Sequence, residues 1–270
     1  MNVHGNKSQV ALAVVALVAA AGASAAPMTI TGISGNYLVW DNPPALVATA
    51  NAGIAAAQAV LVDGSGNAAN PGGNVELSKF GGPVTTMSGF VNGKPISLSS
   101  LDLADWQSGL DQRYIQGAAS SAGLGTLSNL QMAAALAQFY AANANLGGRA
   151  PWQLVSDPNI SYVDIGGDHV VHIGLAGILN ASPFLSAVFG VSLPNGLGAS
   201  EVVEVSVGGV TEYLFGFSPT NSGVYAANQG ALPFDLRSYS GNYDVKIPEP
   251  ESLALLGIGL LGLFLGRRRL

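Results

Sequence analysis

Cysteine is absent from the 270 residues. That excludes disulfides, thiol nucleophiles and thiolate metal sites, so packing alone must hold any folded part together. Charge is scarce as well. Asp, Glu, Lys and Arg make up 10% of the chain, against about 25% in ordinary domains, so Asn, Gln, Ser, Thr and Gly must cover the surface. No Gly-x-x-x-x-Gly-Lys-Ser/Thr phosphate loop occurs. Gly64-Ser65-Gly66 lacks the outer spacing of a Gly-x-Ser-x-Gly nucleophile elbow. The apolar run near the C-terminus, Leu253 to Leu265, has thirteen residues, whereas a membrane-spanning helix needs about 20.

That short run has distinctive neighbours. Pro248-Glu249-Pro250 precedes it and Arg267-Arg268-Arg269 follows it. Flanking residues that snorkel, or a locally thinned bilayer, let a short run span. Arginines after it favour a cytoplasmic C-terminus. Neither proline fits inside a helix, and each pushes the residue before it to extended backbone. The Pro-Glu-Pro stretch is therefore expected as an extended peptide at the outer membrane face, open to a protease. The three parts in this order resemble the PEP-CTERM sorting signal. The resemblance implies recognition and processing by an exosortase, a membrane-embedded enzyme, in a Gram-negative bacterium that makes exopolysaccharide. The sorting residues it implies are Pro248, Glu249, Pro250, Arg267, Arg268 and Arg269.

The other end reads as an export signal. Lys7 precedes a twelve-residue apolar core, Val10 to Ala21, and Ala23-Ser24-Ala25 supplies the small-x-small cleavage pattern. Cleavage is expected after Ala25, because cutting after Ala26 would put Pro27 at the scissile bond. The chain thus divides into a signal peptide (1–25), an exported domain (26–247) and a sorting signal (248–270), with its motif at 248–250, apolar helix at 253–265 and basic tail at 267–269. Within 26–247, 14 acids and 6 bases leave a net charge of −8, which argues against nucleic-acid binding through a basic surface.

The exported domain reads as α+β with a β-rich second half, a sandwich being one arrangement open to it. Tyr37 to Trp40 is a short strand, and Ala45 to Val62 is ambiguous between helix and strand. Two amphipathic helices are expected around 101–143. In the first, Ser100 or Asp102 caps, Leu103, Trp106, Leu110 and Tyr114 share a face, and Gly117 ends it. The second runs from Leu127 to Asn143, capped by Thr126 or Ser128, with Leu130, Ala134, Ala137 and Tyr140 as its stripe. Trp152 to Val155 is expected as β-type, followed by a type I turn at Asp157-Pro158-Asn159. Ile160–Ile165 and His169–Leu175 read as strands. So do Glu201–Val207 and Val210–Phe217, joined by Gly208-Gly209, because both central positions of a type I′ hairpin turn need positive φ. Tyr239 to Ile247 reads as the last strand. The segment Ser156 to Val163, with Ile173 to Gly177 after it and Leu103-Ala104-Asp105-Trp106 before it, resembles one PEP-CTERM subgroup. That likeness, over 96–182, implies no activity.

Chemistry-bearing residues are few. On a strand His169 and His172 point to opposite faces and share no metal. Asp63-Gly64-Ser65-Gly66-Asn67 spaces oxygen ligands as calcium loops do. Ala68 and Asn74 then stand where an EF-hand needs Gly and Glu, so a turn-rich loop is expected and no metal site is assigned. Glu201, Glu204 and Glu212 lie in one hairpin. A two-residue turn sets Glu204 opposite Tyr213 and Glu212 opposite Val205, which separates the two acids and argues against a glycosidase pair. No catalytic residue and no cofactor is expected.

The functional expectation is a non-enzymatic structural or adhesive protein of the cell envelope or exopolysaccharide matrix. It is exported across the inner membrane, held there transiently by its C-terminal helix, and then placed at the cell surface or in the matrix. Its expected partners are the exosortase, the inner membrane and exopolysaccharide, with no nucleic acid. The alternatives are a glycan-binding module of the matrix, which needs exposed aromatics beside Asn and Asp, and an exported carboxylate-dependent hydrolase.

Overall fold

A computed structural model describes residues 26–41, 47–62, 73–165, 170–178, 180–218 and 241–248. The expected signal peptide (1–25), residues 249–270, most of the 63–74 loop and His169 lie outside the described residues. Among the described residues thirteen strands alternate unevenly with helices. In chain order they are β1 (Ala26–Pro27), β2 (Thr29–Ser34), β3 (Tyr37–Asp41), β4 (Val47–Ala50), helix α1 (Ile54–Val62), β5 (Gly73–Leu77), β6 (Thr86–Val91) and β7 (Lys94–Ser99). Then come helices α2 (Leu103–Asp105), α3 (Asp111–Ser121) and α4 (Asn129–Tyr140), followed by β8 (Asn159–Ile165) and β9 (Val170–Ile178). Helix α5 (Ser182–Phe189), β10 (Ala199–Ser200), β11 (Val203–Val207), β12 (Val210–Leu214) and β13 (Gly241–Pro248) complete the series.

The chain is mixed helix and sheet, as expected, and rich in sheet. Eight strands form one sheet in the order β10-β9-β8-β5-β3-β4, with β1 also beside β8 and β13 beside β9. Five form the other, β12-β11-β7-β6-β2. Val39, Val75, Ile160, Val163, Ile173 and Leu175 from the first sheet and Met87, Leu98, Val203, Val205 and Val207 from the second enter one apolar cluster. Period-two burial drives this packing. Along β11 the three valines are buried and Glu204 and Ser206 are half-buried. The hairpin forms on Gly208 (φ 58°) and Gly209 (φ 83°), in the expected register.

A second cluster caps one end of both sheets. It holds Leu101 just past β7, Val155 just before β8, Val202 just before β11 and helix α5 just past β9. At its centre Trp106 is fully buried, edge-on to Tyr114 and Phe139 at 5.5 and 5.1 Å. Its indole nitrogen donates to Ser156 Oγ at 2.7 Å.

Both expected helix starts form, capped by Asp102 and Ser128, each in a reciprocal capping box. Between α2 and α3 a π-turn spans Trp106–Leu110 and is broken at Gly109, whose φ of 102° suits glycine. This interruption leaves Leu103, in the turn ahead of it, 41% exposed, off the face that buries Trp106, Leu110 and Tyr114. Gly117 does not end the helix. It lies inside α3, where a Cβ would come within 2.7 Å of the Phe217 ring, so its role is close approach.

Helix α4 also buries a different face from the expected stripe of Leu130, Ala134, Ala137 and Tyr140. Ala135 and Phe139 are buried and Met132, Leu136 and Tyr140 pack beside them, while Leu130 is 82% exposed and Ala134 and Ala137 face outward. Alanine on every side gave the helix no clear polar face, and the bulky Phe139 decides which side packs. Ala45–Val62 contains both alternatives, β4 and α1. Trp152–Val155 is not β-type but part of a 3₁₀ turn over Pro151–Val155, with Pro151 suited to its first position. No turn closes at Asp157-Pro158-Asn159. Asn159 is already in β8, and the Pro158 carbonyl accepts from Leu77 N at 3.0 Å.

Candidate functional site

The expected processing points lie where the fold brings the two chain ends together. Ala26 pairs with Ile165, Ile165 with Val171, and Val171 with Ile247. One row across β1, β8, β9 and β13 therefore joins the residue after the expected signal-peptide cut to the residue before Pro-Glu-Pro. Three strand spacings separate the row's ends, about 14 Å. Pro248 ends β13 opposite Val170. A proline is tolerated there because, among the described residues, β13 pairs on one side alone, with β9. The helical cap stands at the opposite end, since β9 starts in this row and runs to Ile178 beside the cap. Glu249, Pro250, Arg267, Arg268, Arg269, Ala23 and Ala25 lie outside the described residues.

A second constellation was not legible in the sequence. Glu76 on β5 is fully buried and accepts from the Trp40 indole nitrogen at 2.6 Å. Lys79, just past β5, is ion-paired to Glu76 and stands 3.6 Å from Asp157 Oδ2. Asp157 also accepts from Phe80 N at 3.1 Å. Glu201, ahead of β11, accepts from Asn159 N at 2.6 Å, and both its carboxylate oxygens accept from Asn159 Nδ2 at 3.0 Å. Glu201 is thus a partnered, buried acid, and it precedes β11 rather than opening the expected strand Glu201–Val207. Asn159 Oδ1 and both side-chain polar atoms of Asn74 are buried without a partner.

Three buried acids around one lysine would carry excess negative charge if all ionised. Burial pushes Glu76 up from its ordinary 4.5 to about 7, with Lys79 pulling the other way. Burial also raises Asp157, and it holds Glu201 well above the usual carboxylate range. For Lys79 burial works downward, but the charges of Asp157 and Glu76 outweigh it and hold the amine above its ordinary value. The cluster ties β5 and β8 of one sheet to the entry of β11 in the other. Among the described residues, no three His, Cys, Asp or Glu side chains stand where they could hold a metal ion.

A pH dependence follows from Glu76. Between pH 4.5 and about 7 the folded chain keeps a proton that the unfolded chain has lost. Stability therefore falls as pH rises through that window, by on the order of 2–3 kcal/mol. The raised Asp157 and Glu201 act in the same direction. Urea unfolding of the exported domain at pH 5 and pH 8 should show the loss. Glu76→Gln, which mimics the protonated acid, should shrink the difference and leave the part that Asp157 and Glu201 contribute.

Glu204 and Glu212 are not brought together. Glu204 pairs with Tyr213 and Glu212 with Val205, the register expected. His172 lies in β9 opposite Asp164. Trp40 and Trp106 are buried and Trp152 is half-buried against the cap, so no tryptophan offers an open stacking face. The outer face of the five-stranded sheet instead carries a hydroxyl row, Ser88–Ser97–Ser206–Thr211, one residue per adjacent strand. A shallow groove of about 300 Å³ runs there, edged by Thr31, Pro95 and Phe90, the last 46% exposed.

Residues 246–269 match the family described as the PEP-CTERM protein-sorting motif. No curated protein and no solved structure matches the chain.

Proposed function

We propose, from the premise that this chain carries the PEP-CTERM protein-sorting motif and is an exported protein sorted by an exosortase, that its folded domain serves as a non-enzymatic structural or adhesive component of the cell envelope or exopolysaccharide matrix. The motif makes the exosortase its processing partner and supplies a C-terminal membrane-anchoring signal. The observation that carries the reading is the placement of that motif. It begins inside β13, so the sorted object is the folded domain itself, with no intervening linker. Low charge and a hydroxyl-rich outer sheet face suit a hydrated, neutral surrounding. A strain lacking the gene should lose cell aggregation or matrix retention. Unchanged aggregation and matrix composition would sink the structural role.

One observation favours a second reading, a glycan-binding module. The Ser88–Ser97–Ser206–Thr211 row beside Phe90 offers hydroxyl partners and one aromatic ring to a neutral sugar chain. The purified domain should then respond on a glycan array, and Phe90→Ala should remove about 1 kcal/mol or more of binding, the loss of one ring contact. A flat array would remove this reading. No pair of acids in the β11–β12 hairpin supports the hydrolase alternative.

A further inference from the structure

We infer that the end of the domain holding Ala26, Ile165, Val170 and Pro248 is its membrane-facing surface during sorting, with the helical cap pointing away from the bilayer. The inference rests on the sorting reading and adds an orientation to it. The partner it names is the lipid headgroup layer.

The geometry leaves the domain little freedom. All eight residues of β13 are paired to β9, the last pair being Pro248 with Val170. The first three residues of the matched motif, 246–248, therefore belong to the sheet and give no slack. Four residues, 249–252, separate Pro248 from the apolar run. Fully extended they reach at most about 14 Å, of which the headgroup layer of one leaflet takes up roughly 5–8 Å. The thirteen residues from Leu253 to Leu265 would rise about 20 Å as a helix, short of a hydrocarbon core of about 30 Å. Such mismatch draws flanking residues toward the membrane. Pro248 is thus held within about 10 Å of the lipid surface.

The same end suits that contact in the other sheet. Its strand ends there are 27–31, 90–96 and 207–211, which contain no acidic residue and one base, Lys94. This contrasts with the net charge of −8 over 26–247, and a stretch without carboxylates is the cheaper one to desolvate against a bilayer. Phe90 and Val210, 46% and 43% exposed, stand at this end, and an aromatic ring is at home in the interfacial layer. The eight-stranded sheet does carry acids on this side, Asp164 beside Ile165 and Asp41 at the end of β3, so the acid-free stretch belongs to the five-stranded sheet. From this end β9 rises nine residues to the cap, about 30 Å. Leu124 and Leu130 of the cap are therefore placed well clear of the lipid.

Absence of cysteine makes the test clean. Four single-cysteine variants of the full-length chain, Phe90→Cys and Val210→Cys at one end and Leu124→Cys and Leu130→Cys at the other, would be labelled with a fluorophore. The labelled chains would be held in membranes from cells without exosortase, and lipids carrying a headgroup quencher would be added. The expected result is loss of fluorescence at 90 and 210 and none at 124 and 130. Equal quenching at all four sites, or quenching at the cap alone, overturns the orientation while leaving the sorting reading intact. A chain that never enters the membrane fraction overturns the sorting reading and the orientation with it.

Discussion

Trp106→Ala is expected to cost the exported domain about 3–5 kcal/mol of unfolding free energy, the usual range for a large aromatic removed from a core. The indole is fully buried and touches Tyr114 and Phe139 edge-on. Tyr114 in turn meets Phe215 and Phe217, each at 5.1 Å between ring centres. Truncation would open a cavity where helix α3, helix α4 and the segment past β12 converge, and would leave Ser156 Oγ without its indole donor. Against a total stability of about 5–15 kcal/mol, that is a large fraction. Urea unfolding of the purified domain would measure it. Because the cap receives the ends of β7, β8, β9 and β11, the variant should still unfold in one transition at lower denaturant. A loss under about 1 kcal/mol, the level of an ordinary substitution, would mean that the cap is not packed around this ring.

Replacing Arg267, Arg268 and Arg269 by glutamine is expected to abolish retention of the unprocessed chain in the membrane. The run they follow is thirteen residues, too short to hold a span on apolar area alone. Carrying an arginine into the bilayer centre costs about 2.5–3.5 kcal/mol, and each 1.4 kcal/mol is a factor of about ten. The three arginines therefore stop the chain, and without them it should slip through. In cells without exosortase, the membrane-bound fraction of the triple variant should drop about tenfold or more relative to the parent. Equal retention would assign the anchoring to the apolar run alone.

What the sequence disclosed was local. Gly208-Gly209 between alternating residues carried the hairpin and its register, because turn geometry and period-two alternation act within a dozen residues. Asp102 and Ser128 announced helix starts through side chains that reach their own first turn. The α4 face is not legible in sequence because Ala134 and Ala137 are as apolar as Ala135, and packing of Phe139 against Trp106 decides which side is buried. The Glu76–Lys79–Asp157–Glu201 cluster gave no signal at all. Its members come from three separated places in the chain, 76–79, 157 and 201, which the pairing of β5 with β8 and the Asn159–Glu201 contact bring together. The shared row of Ala26 and Ile247 is likewise a product of topology. Each end was readable as a targeting signal, but their placement on one edge depends on β1 and β13 flanking the β8–β9 pair.

The intact mass of the protein recovered from its native cells, in membrane and extracellular fractions, tests the central claim most directly. An exported protein sorted through its C-terminal motif should appear as a species lacking the first 25 residues and the apolar tail with Arg267 to Arg269. A chain that still carries those arginines, found in membranes alone, would contradict the account and reduce the tail to a plain anchor.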